Sequence, residues 1–178
     1  GRRPLGKRQQ WQRFCAQRLV LVSAGSEGGL KVNGARGEIG LQDAAYRPLL
    51  DALQTADGPI SVAELARQLP DGGYDNALLW QTVVTLVGMG LVALAQSELA
   101  VAQARPYCDR LNAHWWAQAD GCSDNSYNVS PVTGGGLSLG QVPQLILAAR
   151  AAGCHSVDDW VAYARQRFVG QGRGLSKG

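Results

Sequence analysis

Four cysteines (Cys15, Cys108, Cys122 and Cys154) and two histidines (His114 and His155) are the side chains best suited to nucleophilic or metal chemistry. No two cysteines stand as C-x-x-C, and neither histidine lies at metal-ligand spacing from them, so no zinc site is expected. Buried or half-buried reduced thiols are the ordinary state of cysteines in the cytoplasm. A Cys–His nucleophilic pair could come only from these residues; Cys122 with His114 is the one to check, and the balance is against it. The acids gather at helix starts, Glu64 as a capping residue and Asp158 and Asp159 as first-turn acids favoured by the helix dipole. Gly134, Gly135 and Gly136 could cradle an anion on backbone N–H groups, but no buried strand precedes them and no lysine follows. There is no Walker loop, H-E-x-x-H, G-x-S-x-G or acid-x-Gly-x-Gly-x-Gly run after an apolar strand. No catalytic, cofactor-binding or metal-binding residue is therefore expected in this chain.

The elements that position these residues centre on Asp43 to Leu94. Ala45, Leu49, Leu53 and Ala56 recur at helical spacing, and Gly58-Pro59 ends that helix. Ser61 with Glu64 forms a capping box for a second, short helix carrying Leu65, Ala66 and Leu69. Pro70-Asp71-Gly72-Gly73 is a turn, and Asp75 caps a third helix with Leu79, Val83 and Leu86 as its apolar stripe. Gly88 and Gly90 close it, and Leu91 to Leu94 reads as a strand. This is the element order of a winged helix-turn-helix. On the third helix Asn76, Trp80, Gln81 and Thr85 face outward, and no basic residue occurs from Asp75 to Leu94. A DNA-reading helix needs Arg, Lys, Asn or Gln for bases and cations for phosphates, so DNA reading by this helix is disfavoured. Trp80, as an exposed anchor or a partly buried core residue, is with Asn76 and Gln81 the candidate partner contact.

Upstream, Arg18 to Val22, Leu30 to Val32 and Glu38 to Leu41 read as short strands of an antiparallel β-meander joined by glycine turns, a sheet that the Leu91 to Leu94 strand could join. Downstream, Pro106 suits the first turn of a helix bearing Tyr107, Leu111, Trp115 and Ala119. Ser97 to Arg105 reads as a connection. Ser138 with Gln141, and Ser156 with Asp159, open two further helices; Trp115, Trp116, Trp160 and Phe168 fall at core-packing spacing. The fold class expected is α+β and mostly helical: a winged-helix-like domain with a small antiparallel β-meander, followed by a helical C-terminal subdomain. The divisions are 1–17 as a basic linker or arm, 18–95 as the meander plus winged-helix-like domain, and 96–178 as the helical subdomain with a glycine-rich flexible tail.

The net charge of +3 is unevenly placed, since Arg2, Arg3, Lys7, Arg8, Arg13 and Arg18 all precede the first acid, Glu27. A solvated terminus is the plain reading, with Arg2, Arg3, Lys7 and Arg8 as a candidate arm for an acidic partner. No apolar run approaches the roughly 20 residues that span a bilayer, and glutamines interrupt the site of any secretory h-region. A cytoplasmic location is expected. The first residue is Gly, which reads as a piece excised from a longer polypeptide.

Val129-Ser130-Pro131-Val132-Thr133-Gly134-Gly135-Gly136, the upstream Leu111-Asn112, and the ending Gln171-Gly172-Arg173-Gly174-Leu175-Ser176-Lys177-Gly178 resemble the C-terminal half of a bacterial methyltransferase family. Arg13-Phe14 and Leu19-Val20-Leu21-Val22 resemble the start of its region downstream of the catalytic core. That family joins a class I S-adenosylmethionine domain to a regulatory region and a winged-helix-like C-terminal domain. The rickettsial lysine methyltransferases of outer-membrane proteins belong to it. The resemblance implies an accessory region that engages a protein substrate and makes homodimer contacts. S-adenosylmethionine would be held by a catalytic domain outside this chain, and no cofactor residue carries over.

The leading expectation is thus a non-catalytic accessory or substrate-recognition region of a protein methyltransferase, with the catalytic domain and a protein or peptide substrate as partners. One alternative is a winged-helix nucleic-acid binder using the basic arm, recognisable by steep salt dependence. Another is a peptide-binding module that adds a peptide to a sheet edge.

Overall fold

The computed structural model describes residues 4–23, 30–34, 37–70, 72–118 and 127–169. The chain is α+β and mostly helical, and it divides into two compact units, Gly1–Ser97 and Glu98–Gly178. Among the described residues no helix is long and apolar enough to cross a membrane.

Unit 1 opens with helix α1 (Lys7–Cys15), then strand β1 (Arg18–Leu21) and a hairpin of β2 (Lys31–Gly34) and β3 (Gly37–Gly40). Helix α2 (Asp43–Thr55), strand β4 (Ile60–Ser61), helices α3 (Val62–Gln68) and α4 (Asn76–Gly88), and strand β5 (Val92–Ala95) follow. From α2 to β5 the three helices and the closing strand expected from the sequence are present, with a two-residue strand, β4, that was not expected between α2 and α3. The strands are antiparallel, but they do not form one meander. β1 lies between β4 and β5, pairing Leu19 with both Ile60 and Leu94, while β2 and β3 pair only with each other. Apolarity explains the division. Leu19 is fully buried in β1 and belongs under the helices, whereas the β2–β3 hairpin carries a surface ion pair, Lys31 Nζ to Glu38 Oε1 at 2.7 Å.

One apolar cluster joins these elements. Leu19 of β1, Leu49, Leu50 and Leu53 of α2, Val62 and Leu65 of α3, Leu79, Val83 and Leu86 of α4, and Val92 of β5 are all buried. Each helix buries one stripe against the others and against the sheet, as short amphipathic helices must. Phe14 of α1 is buried in the same cluster, with Trp11 packed against it. Residues 7–15 are therefore a helix docked on the core, not part of a solvated linker. The Ser61–Glu64 capping box forms in full, and Asp75 Oδ1 accepts from Leu78 N–H at 2.7 Å.

Unit 2 holds α5 (Glu98–Gln118), the β6 (Tyr127–Ser130)–β7 (Gly135–Ser138) hairpin, α6 (Gln141–Ala151) and α7 (Val157–Val169). Two expectations change here. Pro106 lies inside α5 instead of starting it, because the alanine-rich Glu98–Arg105 stretch is strongly helix-forming and the lost hydrogen bond is tolerated. Ser138 does not cap α6, since it is taken into the β7 ladder opposite Tyr127; Gly140 stands at the N-cap without a side-chain bond. The three glycines likewise close a hairpin: Gly134, at φ +68°, donates to Ser130 C=O at 2.9 Å. Ser156 and Asp159 do cap α7 reciprocally.

Candidate partner-contact surface

Helix α4 carries the three residues that the sequence marks as partner contacts. Its core stripe, Leu79, Thr82, Val83 and Leu86, turns inward; Trp80 and Gln81 are exposed on the opposite side together with Ala77 and Val84, and Asn76 is exposed at the start of the helix. Positions 77, 80, 81 and 84 share one face by helical spacing. Thr85, expected outward, is half-buried. The face has no charge, and two large apolar side chains lie on it: Trp80 at 48% and Val84 at 50% exposure.

Trp80 is held as well as exposed. Its ring packs on Phe14 of α1 at a centroid distance of 4.5 Å and 50°, and Phe14 packs on Trp11 at 5.2 Å and 41°. These tilted pairs add about 0.5–1.5 kcal/mol each beyond area burial. The indole is thereby fixed with nearly half its surface open, the condition of a rigid contact anchor. Both readings of Trp80 are partly realised, since one side packs on the core and the other meets solvent. Trp11 and Phe14 are the members of this trio that the sequence reading did not mark as part of a contact surface; their spacing, three apart, is the signal that could have found them.

The basic arm is only partly placed. Lys7 and Arg8 are exposed in the first turn of α1, while Arg2 and Arg3 lie outside the described residues. Lys7 falls on the Trp11–Phe14 side of the helix by spacing, and Arg8 on the next face.

A cleft of about 350 Å³ opens beside β4, lined by Arg18, Asp57, Pro59, Ile60, Glu64 and Gln68 among others. Two of its ionisable groups, Arg18 and Glu64, are engaged locally. Arg18 Nη2 donates to Pro59 C=O at 2.9 Å, and Glu64 Oε2 accepts from the Ser61 hydroxyl at 2.7 Å and its backbone N–H at 3.0 Å. Those two bonds, the hydroxyl first, hold the Glu64 carboxyl below its ordinary pKa, which makes it a weak base.

Among the described residues no group of three or more His, Cys, Asp or Glu could hold a metal ion. Cys15, Cys108 and Cys154 are free thiols, and burial raises the pKa of Cys15, away from thiolate chemistry. Cys122, the suggested partner of His114, lies outside the described residues. Two tryptophans of unit 2, Trp116 and Trp160, make hydrogen bonds within it. Trp116 Nε1 donates to Asn128 Oδ1 at 2.8 Å and Trp160 Nε1 to Cys154 C=O at 3.0 Å, while the side chain of Phe168 lies outside the described residues.

No known protein family matches this chain, and no solved structure matches it significantly. It is similar to an uncharacterized protein of Synechocystis, sll1526, at 27% identity over 121 residues. The match covers 68% of this chain and 24% of that protein, so the chain corresponds to about a quarter of the length of the curated relative it matches.

Proposed function

We propose that this chain is a non-catalytic accessory and substrate-recognition region of an S-adenosylmethionine-dependent protein methyltransferase. The observation that carries the recognition role is the uncharged exposed face of α4, with Trp80 fixed on Phe14 and open over 48% of its surface. Aromatic side chains held this way supply contact area at low entropic cost. The methyltransferase assignment rests on the resemblance of the Leu111-Asn112 and Val129–Gly136 motifs. The Synechocystis relative is a longer protein in which the similar stretch takes up a minor part, which suits an accessory region. On this reading the chain works in the bacterial cytoplasm, and S-adenosylmethionine is bound by a separate catalytic domain. The absence of cations from Asp75 to Leu94 favours a protein partner for α4 over nucleic acid.

The test is capture of the purified catalytic domain, and separately of candidate substrate proteins, by the immobilised full chain. Trp80→Ala is expected to weaken capture by about tenfold or more, the effect of losing an interface anchor, with the far-UV spectrum unchanged. Failure of the unsubstituted chain to capture either the domain or a substrate would refute the assignment.

A further inference from the structure

The β6–β7 hairpin of unit 2 has two edges, and they are finished differently. On β6 both backbone groups of Val129 turn away from β7 to the Asn112 amide: Nδ2 donates to Val129 C=O at 2.9 Å, and Oδ1 accepts Val129 N–H at 2.8 Å. A side chain standing in for a strand closes that edge. The same two bonds fix the alternation of the ladder. Val129 lies opposite Gly136 and Tyr127 opposite Ser138, so these are the non-hydrogen-bonded pairs, whose backbone groups point out of the hairpin on both sides. Asn128 with Leu137 and Ser130 with Gly135 are the pairs that bond between the strands. The N–H and C=O of Gly136 and Ser138 therefore leave β7 on its far side, where no described residue pairs with them.

That far side is open along the strand. Gly135, Gly136 and Ser138 are all exposed, and the exposed surface of a glycine is the backbone itself. Leu137 alone is half-buried, since it shares a face with buried Asn128. The devices that guard edge strands are missing too: Val132 to Val142 contains no charge and no Pro. On the opposite face the Tyr127 ring, 58% exposed, lies beside the glycine, with its Cδ1 3.8 Å from where a Cβ on Gly136 would stand. A strand laid along β7 sets one side chain next to Gly136 on that face. With no side chain on the glycine, that group reaches the Tyr127 ring.

We infer that β7 is a docking edge for an extended peptide, which adds as a third strand and packs an apolar side chain on the Tyr127 ring across Gly136. The outward backbone groups of Gly136 and Ser138 specify the occupant's conformation. The ring specifies its side-chain chemistry, in a stretch without charge from Asn125 to Ala149. A second copy fits less well: four residues make an edge about 13 Å long, far short of the ~800 Å² per partner that a stable dimer buries. A single strand held by backbone bonds needs no such area. This inference rests on the recognition role proposed above and names the class of substrate segment recognised.

The experiment uses the full chain and an array of synthetic peptides of about ten residues, the length of a long strand, in which Val, Leu or Phe alternates with Thr or Gln. Peptides with this alternation are expected to bind, and peptides in which prolines interrupt it are not. Hydrogen exchange at the Gly136 and Ser138 amides slows on binding, while exchange across α4 stays unchanged. Gly136→Pro removes one outward donor without touching the Gly135 and Leu137 bonds to β6, and Tyr127→Ala removes the ring; each lowers affinity about tenfold or more. If Gly136→Pro loses its thermal transition, Ser138→Lys, which places a charge on the same edge, decides in its stead. The inference is overturned if no alternating peptide binds or if a folded variant binds as tightly as the parent. A concentration-dependent dimer that Ser138→Lys abolishes overturns it too, by assigning the edge to a second copy. Capture of the catalytic domain is measured in parallel. Peptide binding absent with capture retained counts against the edge alone, and capture absent with peptide binding retained counts against the methyltransferase role alone.

Discussion

Ser61 and Glu64 show what a single residue pair does in this chain. The Glu64 carboxyl accepts from the Ser61 hydroxyl and N–H, and its pKa falls below the ordinary carboxylate value. A group with a lower pKa folded than unfolded binds its proton more weakly in the native state. Its stabilising contribution is therefore whole above the unfolded carboxylate range and is lost as pH falls through the lowered folded value. Glu64→Gln is expected to flatten the acid limb of a plot of melting temperature against pH, with the difference from the parent largest above that range and closing below it. Thermal melts across the acid range check this. Asp159, lowered in the same way by Ser156, should act likewise for α7. Both caps were legible in the sequence, because a reciprocal cap needs only a hydroxyl and a carboxylate three residues apart. Trp80 was not decidable in that way: its exposure depends on Phe14, 66 positions away in the chain.

Among elements, the α5–β6 contact is the most specific. Asn112 is buried on α5 and donates through Nδ2 to Val129 C=O at 2.9 Å, while its Oδ1 accepts Val129 N–H at 2.8 Å. A side-chain amide here mimics a neighbouring strand, satisfying both backbone groups of one β6 residue. Two stretches noted for their resemblance, Leu111-Asn112 and Val129 to Gly136, are thus joined physically. Asn112→Ala would leave both Val129 groups without that partner and is expected to cost unit 2 about 2–3 kcal/mol. Urea melts with slowed-exchange readout at the β6 amides measure it. Helix starts and stops were read well where the signal is local, as at Asp75 and Ser156. They were misread where a competing element claimed the residue: Ser138 is drawn into β7, and alanine propensity carries α5 past Pro106.

For the molecule as a whole, charge distribution separates the functional readings. The exposed face of α4, the candidate contact surface, is uncharged, and the cations Lys7 and Arg8 stand in the first turn of α1. Partner capture through Trp80 is accordingly expected to change little between low and moderate salt. A nucleic-acid complex of the basic arm would instead lose affinity with a log–log slope that grows with each phosphate neutralised. A salt titration of capture beside a DNA-binding titration tells the two apart; steep salt dependence of capture would move the contact from α4 to the cations.

The amino-acid sequence by itself determined the helical repeats of α2, α3 and α4, the caps of α3 and α4, the mostly helical α+β class and the neutrality of the α4 face. These follow from spacing and side-chain chemistry within a few residues. Only the tertiary structure decided which strand stands beside which and that α1 docks through Phe14. Those depend on pairings across long stretches of chain, where burial of Leu19 selects β4 and β5 as neighbours of β1. No local pattern encodes which distant backbone will satisfy a given N–H.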